Sequence, residues 1–165
     1  MEERHLLLTG STQDHGGGID AARTLYGGSR IAWVDLSTGI NPCAYPVAGL
    51  RGDVWSALPD SNALAALLAA ARRHWKVPEG ADVLAAPGAS AIIARVPTLA
   101  PPGQVIIPQP TYNEHAAAFA QSGWRVRPDG QGDAQVVVHP NNPDGRLWTS
   151  ESLSHEAHAL TVIDE

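Results

Sequence analysis

Four side chains in this sequence follow short apolar runs and have the chemistry to bind a small ligand. They are Ser90, Tyr112, Asn142 and Asp164. A hydroxyl beside free backbone amides can bind a phosphate, an aromatic ring can stack on a planar group, and an amide can donate a hydrogen bond. A carboxylate at the end of an apolar run is costly when it is unpaired, so Asp164 is expected to have a cationic partner.

The elements that position these side chains are predicted from the spacing of the apolar residues. Short apolar runs predict strands, and apolar residues at helical spacing predict helices. The predicted strands are 82–86, 105–107, 124–127, 134–138 and 160–163, and the predicted helices are 19–26, 61–75, 89–99, 112–122 and 151–159. This alternation predicts an α/β fold with a mostly parallel sheet, in which ligands bind outside the carboxyl ends of the strands.

The composition of the chain argues against several classes of function. The net charge is −6, and no basic cluster exists beyond Arg72-Arg73, so nucleic-acid binding is not expected. The sequence contains no run of about 18 apolar residues, so no membrane helix is predicted. The N-terminus has no signal-peptide core, and a cytoplasmic protein is therefore predicted. Cys43 is the single cysteine, which excludes an internal disulfide and a cysteine-based zinc cage, and no metal site is expected.

The four side chains together fit pyridoxal 5′-phosphate. Its phosphate would lie on the amides of Ala89 and Ser90, and Tyr112 would stack on its ring. Asn142 would donate to its phenolic oxygen, and Asp164 would keep its ring nitrogen protonated, so that the ring can accept electrons from the substrate. On local grounds alone, a glycine turn with a serine cap explains the phosphate loop equally well, and Tyr112 could equally cover a helix end.

Two motifs resemble those of fold-type I pyridoxal-phosphate enzymes, the aminotransferase class I/II group. The sequence PNNPDG at 140–145 is similar to the asparagine loop of that family, and VIDE at 162–165 is similar to the strand that carries its pyridine-binding aspartate. Together with the segments around Ser90 and Tyr112, the resemblance covers residues 58–165. It implies that residues 60–165 are part of the large cofactor-binding α/β domain of the family.

Residues 1–59 are predicted to form an N-terminal arm that contacts the substrate. The sequences DHGG at 14–17 and DLSTGINP at 35–42 are similar to the arm of threonine-phosphate decarboxylases of cobalamin biosynthesis. Taken alone, both sequences are also explained as a flexible arm and a Gly/Pro turn. The resemblance implies that the substrate is a small phosphorylated amino acid and that its contacts include His15, Gly16, Ile40 and Asn41.

The resemblance implies decarboxylation of L-threonine O-3-phosphate to aminopropanol phosphate by a full-length homodimer. The Schiff-base lysine of the family lies C-terminal to the pyridine-binding aspartate, whereas the only lysine of this chain, Lys76, precedes the first predicted core strand. The chain is therefore expected to be an N-terminal fragment that carries no catalytic residue and is inactive alone. A histidinol-phosphate-type aminotransferase and a non-catalytic truncated module remain as alternatives.

Overall fold

The computed structural model describes residues 16–47, 49–50, 52–154 and 158–165 of the chain. The chain divides into two compact units, one made of Met1–Ile40 and Ile93–Glu165 and the other of Asn41–Ile92. The predicted division into an arm, residues 1–59, and a domain, residues 60–165, stays a prediction.

The secondary structure follows the predicted series of strands and helices with one omission. The helices are α1 (Ile19–Tyr26), α2 (Ser61–His74), α3 (Ala89–Ile93), α4 (Asn113–Gln121) and α5 (Ser150–Ser154). The strands are β1 (Gln104–Ile106), β2 (Arg125–Arg127), β3 (Ala134–Val138) and β4 (Leu160–Asp164). Short 3₁₀ turns occupy Arg30–Ala32, Gly52–Trp55 and Val96–Leu99.

Within the described ranges, no helix combines the length and the apolar composition that a membrane span needs.

The first unit contains a four-stranded parallel sheet with the strand order β2-β1-β3-β4. In its register Ile106 of β1 pairs with Gln135, and Val138 at the end of β3 pairs with Asp164 at the end of β4. Because the strands are parallel, their carboxyl ends lie at the same edge of the sheet. The predicted α/β fold with a mostly parallel sheet is confirmed.

The core of the first unit lies between the sheet and α4. It consists of Val105, Ile107, Phe119, Trp124, Ala134 and Val136. The Phe119 and Trp124 rings pack edge to face with centroids 5.3 Å apart, and the indole N–H of Trp124 donates to Pro97 O at 3.0 Å. A buried indole with a satisfied N–H fixes where the chain turns from α4 into β2.

Three of the predicted elements differ from the structure. The predicted strand 82–86 is not formed, since no described strand pairs with it and Leu84 is 82% exposed. The predicted helix 89–99 is interrupted, because Pro97 has no N–H to continue an α-helix and disfavours helical backbone at the residue before it. The predicted helix 151–159 does not reach its end, because Ala159 N donates to Asp133 O at 2.9 Å; residues 155–157 lie outside the described ranges.

The second unit is organised around α2, which was predicted at 61–75. Asp60 caps this helix by accepting a hydrogen bond from Ala63 N at 2.7 Å, as its sequence predicts. After the helix, Lys76 adopts a left-handed backbone with φ of 51°, and the Arg72 guanidinium binds the Ala81 carbonyl. The only lysine of the chain is thus an exposed residue in a helix-terminating turn.

Phe119→Ala is expected to destabilise the full-length protein by about 3–5 kcal/mol, because it opens a cavity between α4 and the sheet. Leu99→Ala, at a position that is 72% exposed, is the control and should change stability by less than about 0.5 kcal/mol. Urea unfolding of both variants measures the difference. Equal effects would show that α4 does not form the core described here.

Candidate functional site

The carboxyl edge of the sheet brings together the loops that follow β1 and β3 and the end of β4. Tyr112 ends the loop after β1, Asn142 lies in the loop after β3, and Asp164 is the last residue of β4. Loops at this edge surround the usual ligand site of parallel α/β sheets. Three of the predicted cofactor contacts therefore come from three neighbouring strands.

An open cleft of about 1000 Å³ lies in the first unit between residues 36–40 and these loops. Its lining consists of residues 36–40, 111–113, 141–143 and 145. Three predicted contacts, Ile40, Tyr112 and Asn142, line this cleft, whereas Asp164 does not. The volume lies at the upper end of the range for small-molecule and cofactor sites, which is large enough for a cofactor with a bound substrate.

Tyr112 stands at the N-cap of α4 and is half-buried. Its ring packs edge to face on His115, with centroids 6.3 Å apart and an interplanar angle of 82°. Burial raises the pKa of the Tyr112 hydroxyl above 10.0, with smaller contributions from the carboxylates of Glu114 and Asp164. The side chain is therefore a neutral aromatic surface at physiological pH.

His115 connects the Tyr112 loop to the end of β4. Its Nε2 lies 2.9 Å from Asp164 Oδ2, and its side chain is 2% exposed, compared with 30% for Asp164. An ionised carboxylate only accepts hydrogen bonds, so Nε2 carries the proton of this contact. His115 is thus one hydrogen-bond partner of Asp164 at this sheet edge, and the contact does not use the second carboxylate oxygen, Oδ1. The cationic partner expected for Asp164 stays a prediction.

His115 was not identified from the sequence, although a usable signal was present. It follows Tyr112 by three residues at the start of α4, and residues at this spacing lie on the same face of a helix. A histidine one turn after a ligand-facing aromatic can therefore be expected to face the same loops.

The two asparagines of the PNNPDG motif have different environments. Asn141 is 3% exposed and hydrogen-bonded on all sides, whereas Asn142 is exposed and faces the cleft. Asp144 accepts from Asn141 Nδ2 at 2.6 Å and from Arg146 N at 3.0 Å, and these contacts lower the pKa of its carboxyl group below 3.8. Within the motif, Asn141 is therefore held in place by hydrogen bonds, and Asn142 is exposed to the cleft.

Ser37 lines the cleft and is hydrogen-bonded to Gly17 and Asp35. Gly17 N donates to Ser37 Oγ at 2.7 Å, and Ser37 Oγ donates to Asp35 Oδ1 at 2.5 Å. This hydroxyl contact is the main cause that lowers the pKa of the exposed Asp35 carboxyl. Gly16 has φ of 71°, and a Cβ there would lie 2.5 Å from Ser37 O, so this position requires glycine. Gly16, a predicted substrate contact, thus packs on a residue of the cleft lining.

Four other predicted contacts are not brought to this cleft by the described structure. Ala89 and Ser90 are exposed at the start of α3 in the second unit, after Gly88, whose φ is 89°. Asn41 also belongs to the second unit, where its side-chain oxygen accepts from Cys43 N at 2.9 Å. His15 lies outside the described residues. The roles assigned to these four residues stay predictions.

The residues of the first unit fit the ring of pyridoxal 5′-phosphate. An aromatic face and an exposed amide line one cleft, and a half-buried carboxylate held by a buried histidine lies at the end of the adjacent strand. This donor set suits a planar ligand with a phenolic oxygen and a protonated ring nitrogen.

In the described ranges, no three His, Cys, Asp or Glu side chains are grouped as a metal site would require.

Comparison with known proteins identifies three curated relatives, all of them called threonine-phosphate decarboxylase. The relative from Sinorhizobium sp. is 38% identical over 165 aligned positions, which cover 92% of this chain and 49% of the relative. Those from Pseudomonas aeruginosa and Salmonella typhimurium are each 34% identical, covering 85% and 81% of this chain and 44% and 43% of the relatives. The chain thus spans about half the length of the relatives it matches. No protein-family model matches it.

The hydrogen bond between His115 and Asp164 should contribute measurably to stability. His115→Phe keeps an aromatic ring at this position but removes Nε2. The loss of the donor to a half-buried carboxylate is expected to lower the free energy of unfolding by about 1–3 kcal/mol. In a double-mutant cycle with Asp164→Ala, the interaction free energy should be about 1 kcal/mol or more. The same cycle with the exposed neighbour Glu165→Ala serves as the control and should be additive. An additive cycle with Asp164 would contradict the contact.

Proposed function

The chain is related over most of its length to the threonine-phosphate decarboxylases, the family that its motifs predicted, and on this premise we propose that the full-length protein decarboxylates L-threonine O-3-phosphate with pyridoxal 5′-phosphate. The product is aminopropanol phosphate. The observation that carries the proposal is the convergence of Tyr112, Asn142 and Asp164 at one sheet edge, in a chain with three curated relatives of this name.

The cofactor, when bound, supplies a protonated pyridine ring that accepts the electron pair released as the bond to the substrate carboxylate breaks. Asp164 holds the proton on the ring nitrogen through its carboxylate. His115 donates to Asp164 Oδ2, which orients this carboxylate. Asn142 donates to the phenolic oxygen, and Tyr112 covers the ring and excludes water from one of its faces.

The substrate is proposed to lie between the ring and the arm. Ile40 and Ser37 line the cleft together with Tyr112 and Asn142, and Gly16 packs on Ser37. In the net reaction the α-carboxylate leaves as CO2 and a proton takes its place on the α-carbon. The amine and the phosphate of the substrate are retained.

We assign the covalent attachment of the cofactor to a group outside residues 1–165. Lys76 is the only lysine of the chain, it is exposed, and it lies in the turn that ends α2. A lysine that forms a Schiff base has to face the cofactor, and Lys76 is not among the residues that line the cleft.

The proposed activity is tested by incubating the full-length protein with pyridoxal 5′-phosphate and L-threonine O-3-phosphate labelled with ¹³C in its carboxyl group. Release of labelled CO2, together with aminopropanol phosphate, is the expected result. Amino transfer to a 2-oxo acid without labelled CO2 would instead establish an aminotransferase, the alternative left open by the sequence.

Asp164→Asn should lower the decarboxylation rate by orders of magnitude while the protein stays folded. The amide oxygen can still accept from His115 Nε2, but the charge that holds the proton on the ring nitrogen is lost. Glu165→Gln removes the same charge from the exposed neighbouring residue and should leave the rate unchanged. Equal rates for Asp164→Asn and the wild type would reject the role of Asp164.

Asn142→Ala should weaken binding of pyridoxal 5′-phosphate and shift its absorbance, because one hydrogen bond to the phenolic oxygen is lost. A hydrogen bond to a charged group contributes about 1.5–3 kcal/mol, which corresponds to a decrease in affinity of about 10- to 100-fold. The control is Asn62→Ala, at an exposed position of α2. An unchanged spectrum and affinity in Asn142→Ala would count against the assignment.

A further inference from the structure

The Asn141 side chain is the most completely bonded amide at the edge of the cleft. Its Nδ2 donates to Pro110 O at 2.9 Å and to Asp144 Oδ1 at 2.6 Å, and its Oδ1 accepts from Thr111 Oγ1 at 2.7 Å. The residue is 3% exposed, so water cannot replace these partners without opening the loop. Both N–H groups and the oxygen of the amide are therefore used by the protein.

The partners also determine which way the amide faces. Pro110 O and the Asp144 carboxylate are acceptors, and each requires an N–H, whereas the Thr111 hydroxyl can donate to the amide oxygen. A flipped amide would place its oxygen against two acceptors. An aspartate at 141 would place carboxylate oxygens there, and one of them would face the carboxylate of Asp144.

The hydrogen bonds of Asn141 join two segments that are distant in the sequence. Thr111 and Pro110 belong to the loop after β1, and Asn141 belongs to the loop after β3. The second loop is closed on itself, because Asn141 N donates to Arg146 O at 2.8 Å and Gly145 N donates to Asn141 O at 2.7 Å. The buried Asn141 side chain thus links the two segments directly.

The residues that follow in each segment are the ones that face the cleft. Tyr112 comes directly after Thr111, and Asn142 comes directly after Asn141, and both line the cleft. The backbone of Tyr112 and that of Asn142 are therefore adjacent to the residues that the Asn141 side chain joins by hydrogen bonds. A ring that contacts both side chains needs their separation to be held within a fraction of an ångström.

We propose that Asn141 is a positioning residue that sets the separation of Tyr112 and Asn142 through its hydrogen bonds to Pro110, Thr111 and Asp144, and so prepares the cleft for a planar ring. The part of this inference that concerns the ring rests on the proposed function. The coupling of the two segments does not, since it is a property of the protein without a ligand.

Thr111→Val tests the coupling with little change of shape, because it removes only the hydroxyl that donates to Asn141 Oδ1. In hydrogen exchange of the full-length protein without cofactor, peptides covering 109–114 and 139–146 should both exchange faster. Thr111→Ser retains the hydroxyl and should behave like the wild type. Thr98→Val is the matched control, because the Thr98 hydroxyl donates to Arg95 O at 2.7 Å in a separate turn and should affect only that turn.

The result for residues 139–146 decides the coupling. Unchanged exchange there in Thr111→Val, with faster exchange confined to 109–114, would overturn it. Asn141→Asp should accelerate exchange in both segments more strongly than Thr111→Val, because it loses both donors. If Asn141→Asp does not fold, the Thr111 variants still give the answer.

Titration with pyridoxamine 5′-phosphate tests the positioning role, since this probe needs no lysine to bind. Thr111→Val should bind it about fivefold more weakly than the wild type, as expected for one net hydrogen bond, and Thr111→Ser should restore the affinity. Unchanged affinity in Thr111→Val, despite faster exchange in both segments, would overturn the positioning role. If the wild type itself does not bind the probe, the proposed function is wrong, and the exchange data still decide the coupling.

Discussion

Parallel pairing of β3 with both of its neighbours is the constraint on which the site depends. It places Val138 beside Asp164 and Ile106 beside Gln135, so that three strands end at the same edge of the sheet. Side chains that are 22 to 52 positions apart in the sequence (142 to 164 and 112 to 164) then share one region. The nearly continuous burial of β3 is what makes this pairing stable, because a strand covered on both faces excludes water from its hydrogen bonds.

The ends of the strands are further joined by hydrogen bonds of two buried side chains. His115, on the helix that Tyr112 caps, binds Asp164, and Asn141, in the same motif as Asn142, binds the loop that precedes Tyr112. Both residues are buried, whereas Tyr112, Asn142 and Asp164 keep part of their surface exposed. The Asn141 amide is fully hydrogen-bonded, whereas His115 uses Nε2 and its buried Nδ1 has no partner among the described residues.

The sequence predicted the strand β3, the cap of α2 and the α/β class, because each depends on a local pattern of apolar or capping residues. It did not predict the absence of the strand 82–86, since an apolar run forms a strand only when a neighbour pairs with it. It identified Asn142 but neither His115 nor Asn141, because their importance lies in contacts 49, 30 and 31 positions away. Local spacing does not specify which distant residue a side chain contacts; for His115 the three-residue spacing from Tyr112 indicates only the face of α4 on which it lies.

The most direct test of the account is a crystal structure of the full-length protein with pyridoxamine 5′-phosphate. We expect the ring to lie in the cleft against Tyr112, with its phenolic oxygen within hydrogen-bond distance of Asn142 Nδ2. Its nitrogen should lie within that distance of Asp164 Oδ1, while Asp164 Oδ2 stays bonded to His115. A ring bound elsewhere, or in the cleft with its nitrogen away from Asp164, would contradict the central claim that these three strand ends form one cofactor site.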